Sequence, residues 1–314
     1  MIAVLNGAGG PVVLEHVNPD VDAFGATLAL VRVMPGGRAA FTLGARPVGP
    51  RLSGMLDWAG RGPCDARRVA EADVAVVVDT ANVQRVNVEG GWDAIAGKYV
   101  VNIDHHVSNE RFGRLNWIVD TASSTCEMVY RLIAAAGWPL DGPTATLLYA
   151  GIHADTCGFS LPTPAETFEV VADLVRAGAD PAAVGERLWR TQRPEEFELL
   201  RTVYRNTRVT AEGRIAYSTL TLAEIAATGC TPAHIEDQVD VPRSLAGARV
   251  AILLSEIEPG LVRVNLRGRQ DTEVLPIAAA LGGGGHRFSA GVRVRATMEA
   301  ALDRVTTQAI LHLF

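Results

Sequence analysis

Three short apolar runs, each leading into acidic residues or histidines, constrain this chain more than any other feature. They are Pro11 to Val17 (PVVLEHV), Asp73 to Val78 (DVAVVV) and Tyr99 to Ile103 (YVVNI). Runs so short and so continuously apolar have no polar face to offer water, so they predict strands covered on both sides, as in a parallel sheet. Helix-like segments follow them at Asp22 to Met34, Thr125 to Ala136, Thr144 to Ile152 and Ala165 to Ala177. This alternation predicts an α/β fold with a mostly parallel N-terminal sheet and helices on both faces. In such sheets ligands sit beyond the carboxyl ends of the strands, which is where the acidic and histidine residues fall.

The texture changes past the middle of the chain. Pro181 to Arg208 has no strand signal and is rich in Arg and Glu, whereas RIAYSTL, ARVAILLSEI and LVRVNLR are strand-like and Leu222 to Ala227 and Thr297 to Ile310 helical. The expected organisation is a first domain at 1–190, a helical connector at 191–210 and a smaller α/β domain at 211–314. An apolar fraction of 48% with 20% charged residues supplies a core and excludes a disordered, collagen-like or coiled-coil chain. No apolar run reaches the roughly 18 residues of a bilayer span, and the N-terminus lacks the basic flank and cleavage pattern of a signal peptide. Cys64, Cys126, Cys157 and Cys230 are scattered and too few for a disulfide scaffold, so a reducing cytoplasm is the expected location.

Charge narrows the partners. The net charge is −6, with −8 over residues 1–200 and +2 over 201–314, which argues against coating a long or duplex nucleic acid. The first part is suited to cations and the second tolerates anions. Lys98 is the single lysine beside 28 arginines and has no activating surroundings, which sets amine nucleophiles aside.

Four acidic clusters carry the chemistry. His16, Asp20 and Asp22 lie in HVNPDVDAFG, Asp79 in VAVVVDTANVQR, Asp104-His105-His106 follow YVVNI, and Asp155 lies in GIHADTCGF. Each has an ordinary reading by itself: Asp22 as a helix N-cap, Asp79 as the start of a turn, the histidine pair as structural, and Asp155 as the end of a helix. All four nevertheless fall at the same edge of the expected sheet, and five aspartates with three histidines are unstable there without cations. Oxygen and imidazole donors without thiolate favour Mn²⁺, Mg²⁺ or a similar dication over structural zinc. A surplus of donors implies two ions, which at roughly 3.5–4 Å apart would activate a shared water and clamp a phosphoryl oxygen.

In this order, His16-x-x-x-Asp20-x-Asp22, Asp79, Asp104-His105-His106 and Asp155 resemble the motifs of the DHH phosphoesterase superfamily. Gly282-Gly283-Gly284-Gly285-His286, followed by Ser289-Ala290-Gly291, resembles the glycine-rich motif of the associated C-terminal domain, so the resemblance spans nearly the whole chain. It is strongest toward the nanoRNase and phosphoadenosine phosphatase branch. It implies that His16, Asp20 and Asp79 hold one metal and that Asp22, Asp79, His105 and Asp155 hold the other, with manganese first and magnesium or cobalt as alternatives. It further implies that His106 faces the scissile phosphate or leaving oxygen while Asp104 orients the imidazoles. Arg85 matches a basic position of the family and reads equally as a surface arginine.

The glycine run with His286 is expected to bring backbone N–H groups to a phosphate, helped by Arg267 and Arg269. Arg267 stands ahead of Arg269, because Asn265-Leu266-Arg267 carries the stronger resemblance. Ala26 and Cys157 depart from the family pattern and put contacts near the nucleotide in question. The function implied is hydrolysis of short oligoribonucleotides or 3′-phosphoadenosine 5′-phosphate, with no membrane partner and a homodimer left open. The alternatives are a cyclic dinucleotide phosphodiesterase, acting on c-di-AMP or pApA, an inorganic pyrophosphatase, and a non-catalytic nucleotide-binding regulatory protein.

Overall fold

The three apolar runs occupy the middle of a five-stranded sheet in which every pairing is parallel. Its strands are β1 (Val12–Leu14), β2 (Ala40–Phe41), β3 (Val74–Val78), β4 (Tyr99–Asp104) and β5 (Leu115–Ile118), in the order β2-β1-β3-β4-β5. This computed structural model describes all residues except 45–47, 49, 191, 236, 237, 270 and 314, and all described side chains except those of 50, 51 and 189.

The strands are apolar along their length because both faces are covered. Val13, Val76, Val78, Val101 and Ile103 pack with the helices Val21–Val33, Thr125–Ala136 and Gly142–Asp155. Val12, Leu14, Ala75, Val77 and Val100 pack on the other side with Val69, Val86, Val88 and Ile95. Side chains that alternate between two cores explain the absence of a polar stripe. The helices begin where short polar side chains can accept from their first turns: Asp20 from Ala23, Ser124 from Glu127 and Asp141 from Thr144. Asp141 and the following Pro143 start the third helix two residues before the expected Thr144. Lys98 donates to the carbonyls of Ala70 and Ala72, at 2.9 and 2.8 Å, and so completes the end of a short helix.

The strand order reverses direction between β1 and β3, since β2 flanks β1 on one side while β3, β4 and β5 extend on the other. A parallel sheet opens a crevice at such a switch, at the carboxyl ends of the two strands.

The chain divides into two compact units, Met1–Thr191 and Gln192–Phe314. Residue 191, the first of the expected connector, lies outside the described residues. The helix Pro194–Asn206 buries Leu199 and Val203 against Leu220, Ile225 and Leu253 and is part of the second unit's core. That unit is built on β6 (Arg208–Thr210), β7 (Ile215–Leu220), β8 (Val250–Glu258), β9 (Leu261–Gly268), β10 (Gly284–Gly285) and β11 (Ser289–Arg295). They form a mixed six-stranded sheet in the order β10-β11-β9-β8-β7-β6, parallel only between β7 and β8. Among the described residues no helix is long and apolar enough to cross a membrane.

Candidate metal centre

The crevice of the first sheet gathers the charged residues of all four clusters. β1 runs on through Glu15 to His16, Asp79 directly follows β3, β4 ends at Asp104, and Asp155 closes the Gly142–Asp155 helix. His16 Nε2 lies 3.8 Å from Asp20 Oδ2 and 3.6 Å from Asp79 Oδ2. His105 Nε2 lies 3.6 Å from Asp79 Oδ1 and 3.3 Å from Asp155 Oδ2. The two oxygens of one buried carboxylate thus face two different imidazoles. His16, Asp20 and Asp79 form one group, and Asp22, Asp79 and His105 another, whose donor atoms lie within 4.8 Å of one another.

These separations test whether ions fit. They exceed the 2.7–3.2 Å or so of a direct N–H···O hydrogen bond. Two ligands each about 2.1 Å from a shared ion lie about 3.0–3.4 Å apart at ordinary coordination angles, close to what is found. Asp155 adds a second argument. A carboxylate in the last turn of a helix meets the negative end of the dipole, an arrangement that an adjacent cation offsets.

Each histidine is turned by what its Nδ1 contacts. Nδ1 of His16 lies 3.0 Å from the Val17 carbonyl, that of His105 lies 3.2 Å from the Ala122 carbonyl, and that of His106 lies 2.6 Å from Asp104 Oδ1. A proton on Nδ1 in the first two leaves the Nε2 lone pair facing the carboxylates, open to a cation between them, the arrangement that fixes metal-binding imidazoles. Asp104 is wholly buried and also accepts from the backbone N–H groups of His105 and His106, at 2.9 and 3.3 Å, and from the Asn109 amide. Arg85 borders the cluster, with Nη2 3.1 Å from His16 Nδ1, and its carbonyl accepts from Val17 N at 2.7 Å.

The ordinary reading of Asp22 as a helix N-cap does not hold. Asp20, not Asp22, caps its own helix by accepting from Ala23 N at 3.0 Å. Asp22 reaches to another helix and accepts from Thr125 N and Cys126 N at 2.7 and 2.9 Å, the first amides of Thr125–Ala136. A carboxylate has about four acceptor directions, so these bonds leave capacity toward the cluster.

The electrostatics show a site short of positive charge. Burial lifts Asp22 well above the carboxylate range, with the charges of Asp79 and Asp155 adding to it. Burial likewise raises Asp155 to about 6, against the pull of His105. Burial alone would lower His16 and His105, but Asp20 and Asp79 beside the first, and Asp155 and Asp79 beside the second, bring each up to about 10. Asp79 stays below the normal range despite its burial because three histidines surround it. Protons on the imidazoles do here what bound cations would do better.

Several contributors carry no clear mark in the sequence. Thr125 Oγ1 donates to Asp79 Oδ1 at 2.9 Å, yet a threonine opening a helix reads as capping. Asn109 reaches Asp104, Asn102 and the Thr80 carbonyl, and only its place five residues after Asp104 hints at this. Glu15 is buried beneath His16, accepts from Thr27 and Asn87, and is pushed by burial up to about 7.

In the second unit, Arg267 lies on β9 opposite Ser289 of β11. Arg269 lies past the end of β9 and donates to the carbonyls of Arg243 and Leu245, so it does not continue the face that carries Arg267. Gly284 and Gly285 form β10, and His286 N donates to Ser289 O at 2.7 Å in the turn to β11. A Cβ on Gly283 would stand 2.3 Å from Gly291 O, so close strand packing by itself requires glycine there. Gly284 has open space around it.

Residues 12–152 match the DHH family, N-terminal domain. A protein of Thermus thermophilus named bifunctional oligoribonuclease and PAP phosphatase NrnA is 30% identical over 309 residues, 96% of this chain and 90% of that protein. A cyclic-di-AMP phosphodiesterase, GdpP, of Geobacillus thermodenitrificans is 26% identical over 96% of this chain and 47% of its own length. The crystal structure of an exopolyphosphatase-related protein from Bacteroides fragilis superposes with a TM-score of 0.85 at 24% identity, covering 97% of this chain and 92% of that one. That likeness establishes the fold. Identity of 30% maintained over nearly the full length of both chains goes further, and by it the chain belongs to the DHH family of hydrolytic enzymes.

Proposed function

We propose that the chain hydrolyses short oligoribonucleotides and 3′-phosphoadenosine 5′-phosphate with two divalent cations, manganese foremost and magnesium or cobalt as substitutes. The observation that carries this reading is Asp79, whose Oδ2 faces His16 and whose Oδ1 faces His105. His16, Asp20 and Asp79 would hold one ion, and Asp22, Asp79, His105 and Asp155 the other. When bound, the pair supplies a nucleophilic water at neutral pH and positive charge for the phosphoryl oxygens. The protein's part is orientation and proton transfer. His106 presents Nε2 to the phosphate or leaving oxygen, and Asp104 holds the ring through Nδ1 and stabilises the imidazolium. Arg85 steadies the His16 side of the cluster. In the second unit Arg267, Gly283, Gly284, Gly285 and His286 bind a phosphate of the substrate, with Arg269 in support. The substrate class follows the name of the Thermus relative. Four free cysteines suit a reducing cytoplasm.

A second reading, hydrolysis of c-di-AMP or pApA, is favoured by the cyclic-di-AMP phosphodiesterase that aligns over 96% of this chain. A relict site in a regulatory protein fits less well, since clustered carboxylates without cations repel one another. The test is hydrolysis of a dinucleotide, a pentanucleotide, a 24-residue RNA, c-di-AMP and phosphoadenosine phosphate, with Mn²⁺ and with chelator. Turnover of a dinucleotide or phosphoadenosine phosphate that chelation abolishes is the expected result. Preference for c-di-AMP favours the second reading, and a folded, metal-loaded protein inert to the whole panel overturns both.

A further inference from the structure

The two sides of the cluster are not equivalent. His16, Asp20 and Asp79 form one side, whereas Asp22, His105 and Asp155 join Asp79 on the other, which therefore has one more carboxylate. That side is also better sheltered. Asp22 and His105 are buried and the Asp155 side chain is 27% exposed, while that of Asp20 is 60% exposed, so water screens the charge of Asp20 most. The spacing agrees, with Asp20 Oδ2 3.8 Å from His16 Nε2 and Asp155 Oδ2 3.3 Å from His105 Nε2.

Arg85 widens the difference. Its side chain is half-buried, and its Nη2 stands 3.1 Å from His16 Nδ1. The proton that Nδ1 presents to the Val17 carbonyl leaves that nitrogen no lone pair for a guanidinium. Among the described residues no carboxylate pairs with Arg85. Its loop is held by backbone instead, since the Arg85 carbonyl accepts from Val17 N at 2.7 Å and Asn87 N donates to the Glu15 carbonyl at 2.8 Å. A dication on His16 would meet this positive charge at close range and be repelled by it.

We propose that the ion on the His16 side is held weakly until an anionic phosphate binds between it and Arg85, so that the substrate completes the metal complement of its own site. The inference rests on the proposed two-cation function and deepens it. Four ligating carboxylates balance two dications, which leaves the Arg85 charge in excess, and a phosphodiester carries the one negative charge that cancels it. Guanidinium and metal ion both favour phosphate oxygen, so the two converge on one ligand. Linkage makes the effect mutual: what the phosphate gains from the ion, the ion gains from the phosphate.

An arginine that only braced its loop would act through shape and leave ion affinity indifferent to phosphate. The experiment is a Mn²⁺ titration of the metal-free full chain, with free ion read by electron paramagnetic resonance. Dimethyl phosphate serves as a stable phosphodiester probe and uncharged trimethyl phosphate as its control. Wild type should show two classes of site separated by more than about tenfold, within the usual range of coupling between linked ligands. Asp20→Asn should abolish the weaker class, and Asp155→Asn should loosen the tighter one. Arg85→Gln should strengthen the weaker class by about tenfold, whereas Arg85→Lys should keep it near wild type, because charge and not shape is responsible. Dimethyl phosphate should strengthen that class severalfold in wild type and much less in Arg85→Gln, and trimethyl phosphate should do so in neither.

Two equal classes in wild type, or a weaker class that Arg85→Gln leaves unmoved, would overturn the inference. So would an anion effect of the same size in both proteins, which would belong to the metal alone. Retention of the tighter class in each Arg85 variant shows that the fold is intact. Wild-type protein that binds no Mn²⁺ would remove the two-cation function itself, an outcome distinct from two ions that ignore Arg85.

Discussion

Asp79 owes its position to its backbone. At φ 50° it turns left-handed at the end of β3, a conformation that aspartate tolerates better than most residues and one that recurs at strained functional sites. Its charge is the one both imidazoles share, so Asp79→Asn should bind less metal and lose turnover by several orders of magnitude while remaining folded. His106→Ala should lose turnover and keep its metal, and metal content measured beside activity separates the two roles. Thr125 offers a finer test. Its hydroxyl aims Asp79 Oδ1 toward His105, so Thr125→Val should weaken metal binding about tenfold and Thr125→Ser should restore it, measured by metal titration. His16, Asp79, Asp104, His105 and His106 were legible because their charges recur at or just past strand ends. Thr125 and Asn109 were not, because a neutral side chain that positions a ligand looks in sequence like any cap or turn residue.

Between elements, the centre depends on how the Val21–Val33 helix meets Thr125–Ala136 and Gly142–Asp155. A Cβ on Gly151 would stand 2.2 Å from Cys126 Sγ and 2.7 Å from Asp22 Oδ1, so the absence of a side chain lets these helices bring Asp22 and Asp155 to one cluster. Glu127 secures the same corner, accepting from the backbone and hydroxyl of Ser123 and from Thr167, and pairing with Arg131. Burial alone would raise its pKa, but these partners hold it below the normal glutamate value. A depressed folded-state pKa contributes stability that is present above the unfolded value and lost as pH falls through the folded one. Glu127→Gln should therefore be less stable than wild type by roughly 1.5–3 kcal/mol at pH 7, and the gap should narrow as pH drops below about 4.5. Urea unfolding of the metal-free proteins at both pH values checks this. The helices themselves were readable, Thr125–Ala136 to the residue, because their caps and apolar periods are local. β2, β5, β6, β10 and β11 were not read as strands. Two residues in β2 offer no pattern, Asn116 interrupts β5, and the alternation of β11 lies within what looks like the tail of a glycine motif.

The chain divides into two units with separate cores, and His16, Asp20, Asp22, Asp79, His105 and Asp155 belong to the first. Calorimetry should show chelation lowering the first unit's transition and sparing the second's, by about 2.7 kcal/mol if the ion had been present at a hundred times its dissociation constant. A single transition that shifts as one would contradict this. Charge acts at the same scale. With a net charge of −6 over residues 1–191 the first unit offers a long RNA no basic track, so kcat/KM for a dinucleotide should far exceed that for a 24-residue strand with the same end. Equal efficiency would point instead to a processive exonuclease.

The reversal of strand order between β1 and β3 also bears on when the ion arrives. Val13 can pair with Val76 only after the chain between them has been made, and Asp155 enters later still. The nascent polypeptide thus carries His16, Asp20 and Asp22 in one loop well before Asp79, His105 and Asp155 are made, and the complete set comes together only in the folded state. Metal binding by the full set would be the last act of maturation. Which ion such a site takes would then be decided by a finished cavity sampling the cell's free metal pool.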